Sequence, residues 1–110
     1  RYDDAIRVSK RLLNLTKKKA GAYANLGRAY GAKGDAERAI EMYKQSLKYD
    51  SEDDAVFAGL GEAYEKKGLY LEALNAYQTA YQLNPESTRA ARRIPALKIK
   101  IMQDKNRAEE

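Results

Sequence analysis

The sequence predicts an all-α fold, an array of antiparallel helix pairs, and three observations carry that prediction. The chain of 110 residues repeats itself at a spacing of 34. Within each repeat the apolar residues recur at steps of three and four, the spacing of one helical face. A glycine stands in each repeat where a first helix would have to hand over to a second.

Sliding the chain by 34 positions pairs residues 20–53 with 54–87. The identities are Ala24/Ala58, Leu26/Leu60, Gly27/Gly61, Ala29/Ala63, Tyr30/Tyr64, Lys33/Lys67, Gly34/Gly68, Ala39/Ala73, Tyr43/Tyr77 and Glu52/Glu86. Tyr23 opposite Phe57 and Ile40 opposite Leu74 are conservative matches.

In the first unit Tyr23, Leu26, Gly27 and Tyr30 share one face, which predicts a helix over 20–33. Gly34 is placed to end it and Asp35 to cap a second helix over 36–49, whose inward stripe is Ala36, Ala39, Ile40, Tyr43 and Leu47. The second unit predicts helices over 54–67 and 70–83 by the same logic, with Gly68 at the turn. Gly27 and Gly61 fall inside helices, where glycine costs about 1 kcal/mol relative to alanine. A close helix approach accounts for them, and Ala39 and Ala73 are the expected small opposing surface. Tyr30, Tyr43, Tyr64 and Tyr77 are expected to be largely buried.

These residues resemble the tetratricopeptide repeat family, whose pattern is an aromatic, then Leu-Gly, then Tyr, with later Ala, aromatic, Ala and Pro at fixed offsets. Residues 54–87 match every position, as Phe57, Leu60, Gly61, Tyr64, Ala73, Tyr77, Ala80 and Pro85. Residues 20–53 depart twice, with Ser46 for the second Ala and Ser51 for the Pro. The resemblance implies an α-solenoid whose helix pairs wind into a right-handed superhelix. It also implies that ligands lie on a concave face lined by the first helix of each unit.

Carried backward, the register sets Ala5 and Ile6 opposite Ala39 and Ile40, and Leu13 opposite Leu47. Residues 1–19 therefore read as the second helix of a truncated repeat, predicted over 2–16, with Ser9 in place of the usual aromatic. Because its first helix is missing, the stripe of Ile6, Leu12 and Leu13 is expected to lack a cover and to favour self-association through this helix. Carried forward, residues 88–110 read as a basic capping helix starting near residue 87, with Ala91, Ile94, Leu97 and Ile101 as its buried stripe. Pro95 removes a backbone donor and is expected to kink or break that helix.

Composition excludes several chemistries. With no Cys and no His there is no disulfide framework, no thiolate nucleophile and no histidine-dependent triad or metal site. The tyrosines fall at structural offsets and no carboxylate pair sits in an apolar run, so neither catalysis, cofactor nor metal is expected. No run is long and apolar enough for membrane insertion. The compartment is left open, with the cytoplasm favoured.

The net charge of +5 is uneven. Residues 1–19 hold 7 basic and 2 acidic groups and residues 88–110 hold 7 and 3, whereas 20–53 hold 5 and 6 and 54–87 hold 2 and 5. Acidic middle units interrupt any basic stripe, so a nucleic-acid-associated basic module is the weaker alternative.

The resemblance points to a protein–protein interaction scaffold that takes a peptide or helical segment of a partner, and the basic ends suit an acidic one. The groove residues it implies are Gly21, Ala24, Asn25, Arg28 and Ala32 on one helix, Ala55, Ala58, Gly59, Glu62 and Lys66 on the next, and Arg89, Arg92, Arg93 and Ala96 on the last. The Asn25 amide can donate to and accept from a ligand backbone, and the arginines suit carboxylates. Chaperone-binding members of the family clamp a C-terminal carboxylate with Lys and Asn side chains. Here the corresponding offsets hold Ala24, Arg28 and Gly59, and Arg89 and Arg93 alone fit that alternative.

Overall fold

A computed structural model of the chain describes residues 1–15 and 19–109. Among them are six helices and no strand: α1 (Tyr2–Leu15), α2 (Lys19–Lys33), α3 (Ala36–Tyr49), α4 (Asp54–Lys66), α5 (Tyr70–Leu83) and α6 (Thr88–Glu109). Each helix packs against the next in sequence, and α2 also touches α4. Stacking in chain order yields an elongated body of 54 × 27 × 20 Å.

The glycine turns form as their chemistry requires. Gly34 (φ 96°) and Gly68 (φ 77°) adopt the left-handed conformation that costs an L side chain energy. Past each, the chain folds back so that Asp35 N–H reaches the Tyr30 carbonyl and Leu69 N–H the Tyr64 carbonyl, both at 2.9 Å. Asp35 then caps α3 by accepting from the Arg38 N–H at 3.1 Å, and Asp53 caps α4 by accepting from Ala55 N–H at 3.0 Å. Between units, Asp50 and Asn84 each turn the chain by accepting from the N–H two residues on, at 3.1 Å.

The opposing surface for the mid-helix glycines differs from the expectation. A Cβ placed on Gly27 would lie 2.7 Å from the Tyr43 ring, one on Gly59 would lie 2.6 Å from the same ring's Cζ, and one on Gly61 would lie 2.7 Å from the Tyr77 ring. The glycines therefore receive aromatic faces. Ala39 instead meets Gly31, where a Cβ would stand at an ordinary 3.9 Å. Ala39, Ala73 and Ala80 are fully covered. Ser46, at the offset of Ala80, is buried too, because its hydroxyl donates to the Ala20 carbonyl at 2.7 Å.

Tyr30, Tyr43 and Tyr77 are buried, but Tyr64 is only half-buried at the edge of the core. On α1, Ile6 is 8% exposed and packs into the core, so the expected uncovered stripe is corrected at that residue. The side chains of Leu12 and Leu13 lie outside the described residues. On α6 the stripe is corrected by one position: Ala90 and Leu97 are fully buried and Ile94 and Ile101 partly, whereas Ala91 is exposed. α6 runs through Pro95 without a break. No helix among the described residues is long and apolar enough to cross a membrane.

Candidate functional site

The α2–α4–α6 side of the stack is concave, and its depth follows from small residues. Gly31 and Ala32 on α2 and Ala55 and Gly59 on α4 have no bulk to close the gap between the two helices. A pocket of about 400 Å³ opens there, lined by these four residues with Arg28, Glu62, Ala63, Lys66 and Arg89 around them. Ala36, Ala39 and Tyr43 of α3 contribute to it from behind. A second pocket of about 630 Å³ continues toward α6, lined by Glu62, Glu65, Lys66, Tyr77, Arg89, Arg92 and Arg93. Glu62, Lys66 and Arg89 belong to both, so the two form one groove.

The groove carries five basic side chains against two acidic ones. Arg89 donates to Glu62 at 2.5 Å, and Arg93 grips Glu65 through two bonds of 2.9 and 2.6 Å. The bidentate contact holds the Arg93 guanidinium more firmly protonated than usual. Lys66 stands 3.8 Å from Glu62 on the same helix. Arg92 has no ion pair among the described residues. The three arginines are thus not the free cationic cluster that the sequence suggests: α4 supplies acids to two of them.

Tyr43 and Tyr77 keep their protons at neutral pH. Burial pushes the Tyr43 hydroxyl above its usual range, with Arg28 and Arg89 working against the shift. Tyr77 is raised by burial and then by the Glu65 carboxylate beside it. Neither is a candidate nucleophile.

Of the groove residues expected from sequence, Arg28, Ala32, Ala55, Gly59, Glu62, Lys66, Arg89, Arg92 and Arg93 line these two pockets. Ala24 and Ala58 do not, being 5% and 4% exposed and part of the core. Gly21 and Asn25 belong to neither pocket lining, and a Cβ on Gly21 would stand in open space. Asn25 is half-buried and its Oδ1 accepts from Arg28 Nη2, so one half of the amide is already used. Ala96 also lies outside both pockets. Sequence reasoning missed Gly31, Ala63, Glu65, Tyr77 and the three α3 residues. Glu65 was findable: Glu62 and Glu65 stand one turn apart on α4, as Arg89 and Arg93 do on α6, with opposite charge.

A family model described as the tetratricopeptide repeat matches residues 24–88. Among curated proteins, none matches the chain. Among solved structures, the second TPR domain of human RPAP3, in complex with the HSP70 peptide SGPTIEEVD, aligns with a TM-score of 0.81 at 26% identity, over 88% of this chain and 81% of that one. The Sgt2 TPR domain from Aspergillus fumigatus aligns with a TM-score of 0.87 at 25% identity, over 99% and 73%. The first TPR domain of human RPAP3 shares the fold with a TM-score of 0.89 at 16% identity, over 96% and 83%. With the glycine turns and the Gly-to-Tyr packing at the same offsets in both units, the chain is a member of the tetratricopeptide repeat family.

Proposed function

We propose that this protein is a non-catalytic interaction module whose α2–α4–α6 groove holds a short acidic segment of a partner protein. The observation that carries the reading is the groove itself: a floor of Gly31, Ala32, Ala55 and Gly59, under a rim where Arg28, Lys66, Arg89, Arg92 and Arg93 outnumber Glu62 and Glu65. Small residues let a ligand's backbone lie close, and the surplus of positive charge selects carboxylates. The similar human RPAP3 domain, solved with an HSP70 peptide, supports a peptide as the ligand.

Arg28 and Arg92, which form no ion pair among the described residues, are the first contacts for an acidic segment; Lys66 stands 3.8 Å from Glu62, and Arg89 and Arg93 are held more closely by Glu62 and Glu65. Asn25 adds its amide nitrogen to the ligand backbone at the α2 end. A carboxylate clamp of the chaperone-binding kind fits less well, because the clamp offsets hold Ala24, Arg28 and Gly59 and the two matching arginines are already paired.

The test is fluorescence anisotropy with labelled acidic, neutral and basic peptides of equal length. The acidic peptide is expected to bind best. Exposed ion pairs contribute about 0.2–1 kcal/mol each, so Arg28→Glu with Lys66→Glu should weaken it roughly tenfold. Equal binding of all three peptides, or an unaffected double variant, would reject the groove.

A further inference from the structure

The second repeat holds a carboxylate against its buried tyrosine, and the first repeat keeps the tyrosine without the carboxylate. Tyr77, Glu65 and Arg93 line one pocket, where Arg93 grips Glu65 through bonds of 2.9 and 2.6 Å and the Glu65 carboxylate acts on the Tyr77 hydroxyl. At the same offsets of the preceding unit stand Tyr43, Gly31 and Gly59. Both charged neighbours are replaced by glycine. A Cβ on Gly31 would meet Ala39 at an ordinary 3.9 Å, so α2 leaves open the place that the Glu65 side chain takes on α4. The pocket of about 400 Å³ with Gly31, Tyr43 and Gly59 in its lining lies there.

Tyr43 itself points to a ligand. The residue is 6% exposed, and its hydroxyl oxygen lies 2.7 Å from where a Cβ of Gly59 would stand, at the wall of the pocket. That hydroxyl has no hydrogen bond among the described residues and opens into the pocket rather than into sealed core. Arg28 and Arg89 bring positive charge to it, and the acid that also faces it, Glu62, is tied to Arg89. Arg28 is exposed and paired with no acid among the described residues, and its donation to Asn25 leaves its other N–H groups for a ligand.

We infer that this pocket takes one carboxylate side chain of the partner segment, which accepts from the Tyr43 hydroxyl and pairs with the Arg28 guanidinium, as Glu65 sits between Tyr77 and Arg93. The inference rests on the acidic-segment reading of the groove and narrows it. One acid of the ligand is buried beside a tyrosine, while others stay at exposed cations such as Arg92. A neutral side chain could fill the same volume, but it would forgo the charge-assisted bonds that a carboxylate makes with a hydroxyl and a guanidinium, which are roughly twice as strong as neutral ones. The chain's own second repeat shows the carboxylate arrangement already built.

Building the second repeat's arrangement into the first tests the pocket without any ligand. Gly31→Glu sets a carboxylate on α2 at the offset of Glu65, and Gly31→Gln sets a side chain of the same length without the charge. Circular-dichroism melting at neutral pH should place Gly31→Glu above Gly31→Gln, and adding Tyr43→Phe to each should remove most of that difference. Tyr43→Phe alone keeps the ring between Gly27 and Gly59, so the fold survives it. Fluorescence anisotropy with a labelled peptide of alternating glutamate and alanine then reads the groove. Tyr43→Phe should weaken that peptide roughly tenfold, the scale of one hydrogen bond to a charged group, and Gly31→Glu should block it more strongly than Gly31→Gln. Equal melting of the two Gly31 variants, a difference that Tyr43→Phe leaves intact, or a peptide that binds the parent and Tyr43→Phe alike would each overturn the carboxylate pocket. A peptide that does not bind the parent would reject the acidic-segment reading instead, and the melting comparison would still decide the pocket on its own.

Discussion

Two junctions in the stack, α3–α4 and α5–α6, are built from the same offsets by different means. Where α3 meets α4, Tyr43 fills the space over Gly27 on one side and Gly59 on the other, so a ring is held between two stretches of bare backbone. Where α5 meets α6, Tyr77 lies over Gly61, but the offset of Gly59 is occupied by Arg93, which latches onto Glu65 through two hydrogen bonds. The first junction is sealed by a ring between glycines, and the second adds a charged clasp to the apolar contact of Ala90 and Leu97 with α5. That difference places the open, basic end of the groove at α6 and the narrow, small-residue end between α2 and α4.

The largest effect that separates the junctions is removal of the ring. Truncating a buried aromatic costs about 3–5 kcal/mol, and Tyr43→Ala leaves a void against two helices at once. Urea denaturation should show a larger loss for Tyr43→Ala than for Ser46→Ala at the same helix. If the tyrosine variant is no worse, the seal is not what holds α3 to α4.

Next is a single methyl on the glycine side. Gly59→Ala places a Cβ 2.6 Å from Tyr43, and overpacking of this kind costs about 1–3 kcal/mol, more than the gain of about 1 kcal/mol in helix propensity. Gly21→Ala meets nothing within 4 Å and should stabilise α2 by up to about 1 kcal/mol. Opposite shifts in Tm would sharpen the comparison, and equal shifts would break it.

At the second junction Glu65→Gln removes the charged half of the clasp. Arg93 and Glu65 are 40% and 20% exposed, so screening limits the loss to about 1 kcal/mol, and the difference from the parent should shrink at high salt. The same substitution at neutral pH frees Arg93 for the groove and should tighten an acidic peptide.

The smallest effect near neutrality is the titration of the two rings. Both tyrosines have folded-state pKa values raised above the ordinary 10.0, so their stabilising contribution is complete below pH 10 and is lost as pH rises through the raised value. The charges beside Tyr43 include two cations that oppose the shift, whereas Glu65 adds to it at Tyr77. Tyr77→Phe should therefore remove more of the alkaline sensitivity than Tyr43→Phe. The reverse order in pH-dependent melting would contradict the placement of these charges.

Helix positions were legible because a 34-residue repeat with glycine turns fixes both length and phase. The φ values of Gly34 and Gly68 and the Asp35 cap follow from residue type alone. What sits opposite Gly27 and Gly61 was not legible, since both Ala39 and Tyr43 lie on the inward stripe and only the crossing of the helices decides between them. The same blindness to rotation put Ala91 rather than Ala90 in the core. In the groove, residue type pointed to the cations but not to their partners. Arg89 and Arg93 reach Glu62 and Glu65 across a helix boundary, a pairing that depends on how α4 and α6 are spaced. Ala24 and Ala58 were drawn into the expected groove because they share a helix with its lining, although their own face is turned inward.

Backbone NMR with a titrated acidic peptide tests the groove most directly. The amide signals of Arg28, Gly31, Gly59, Lys66 and Arg92 should shift together along one binding curve, while those of Leu71, Asn75 and Thr79 on the opposite side of α5 stay in place, and the shifts should fade as salt is raised. Shifts confined to α5, or shifts that salt leaves unchanged, would contradict it.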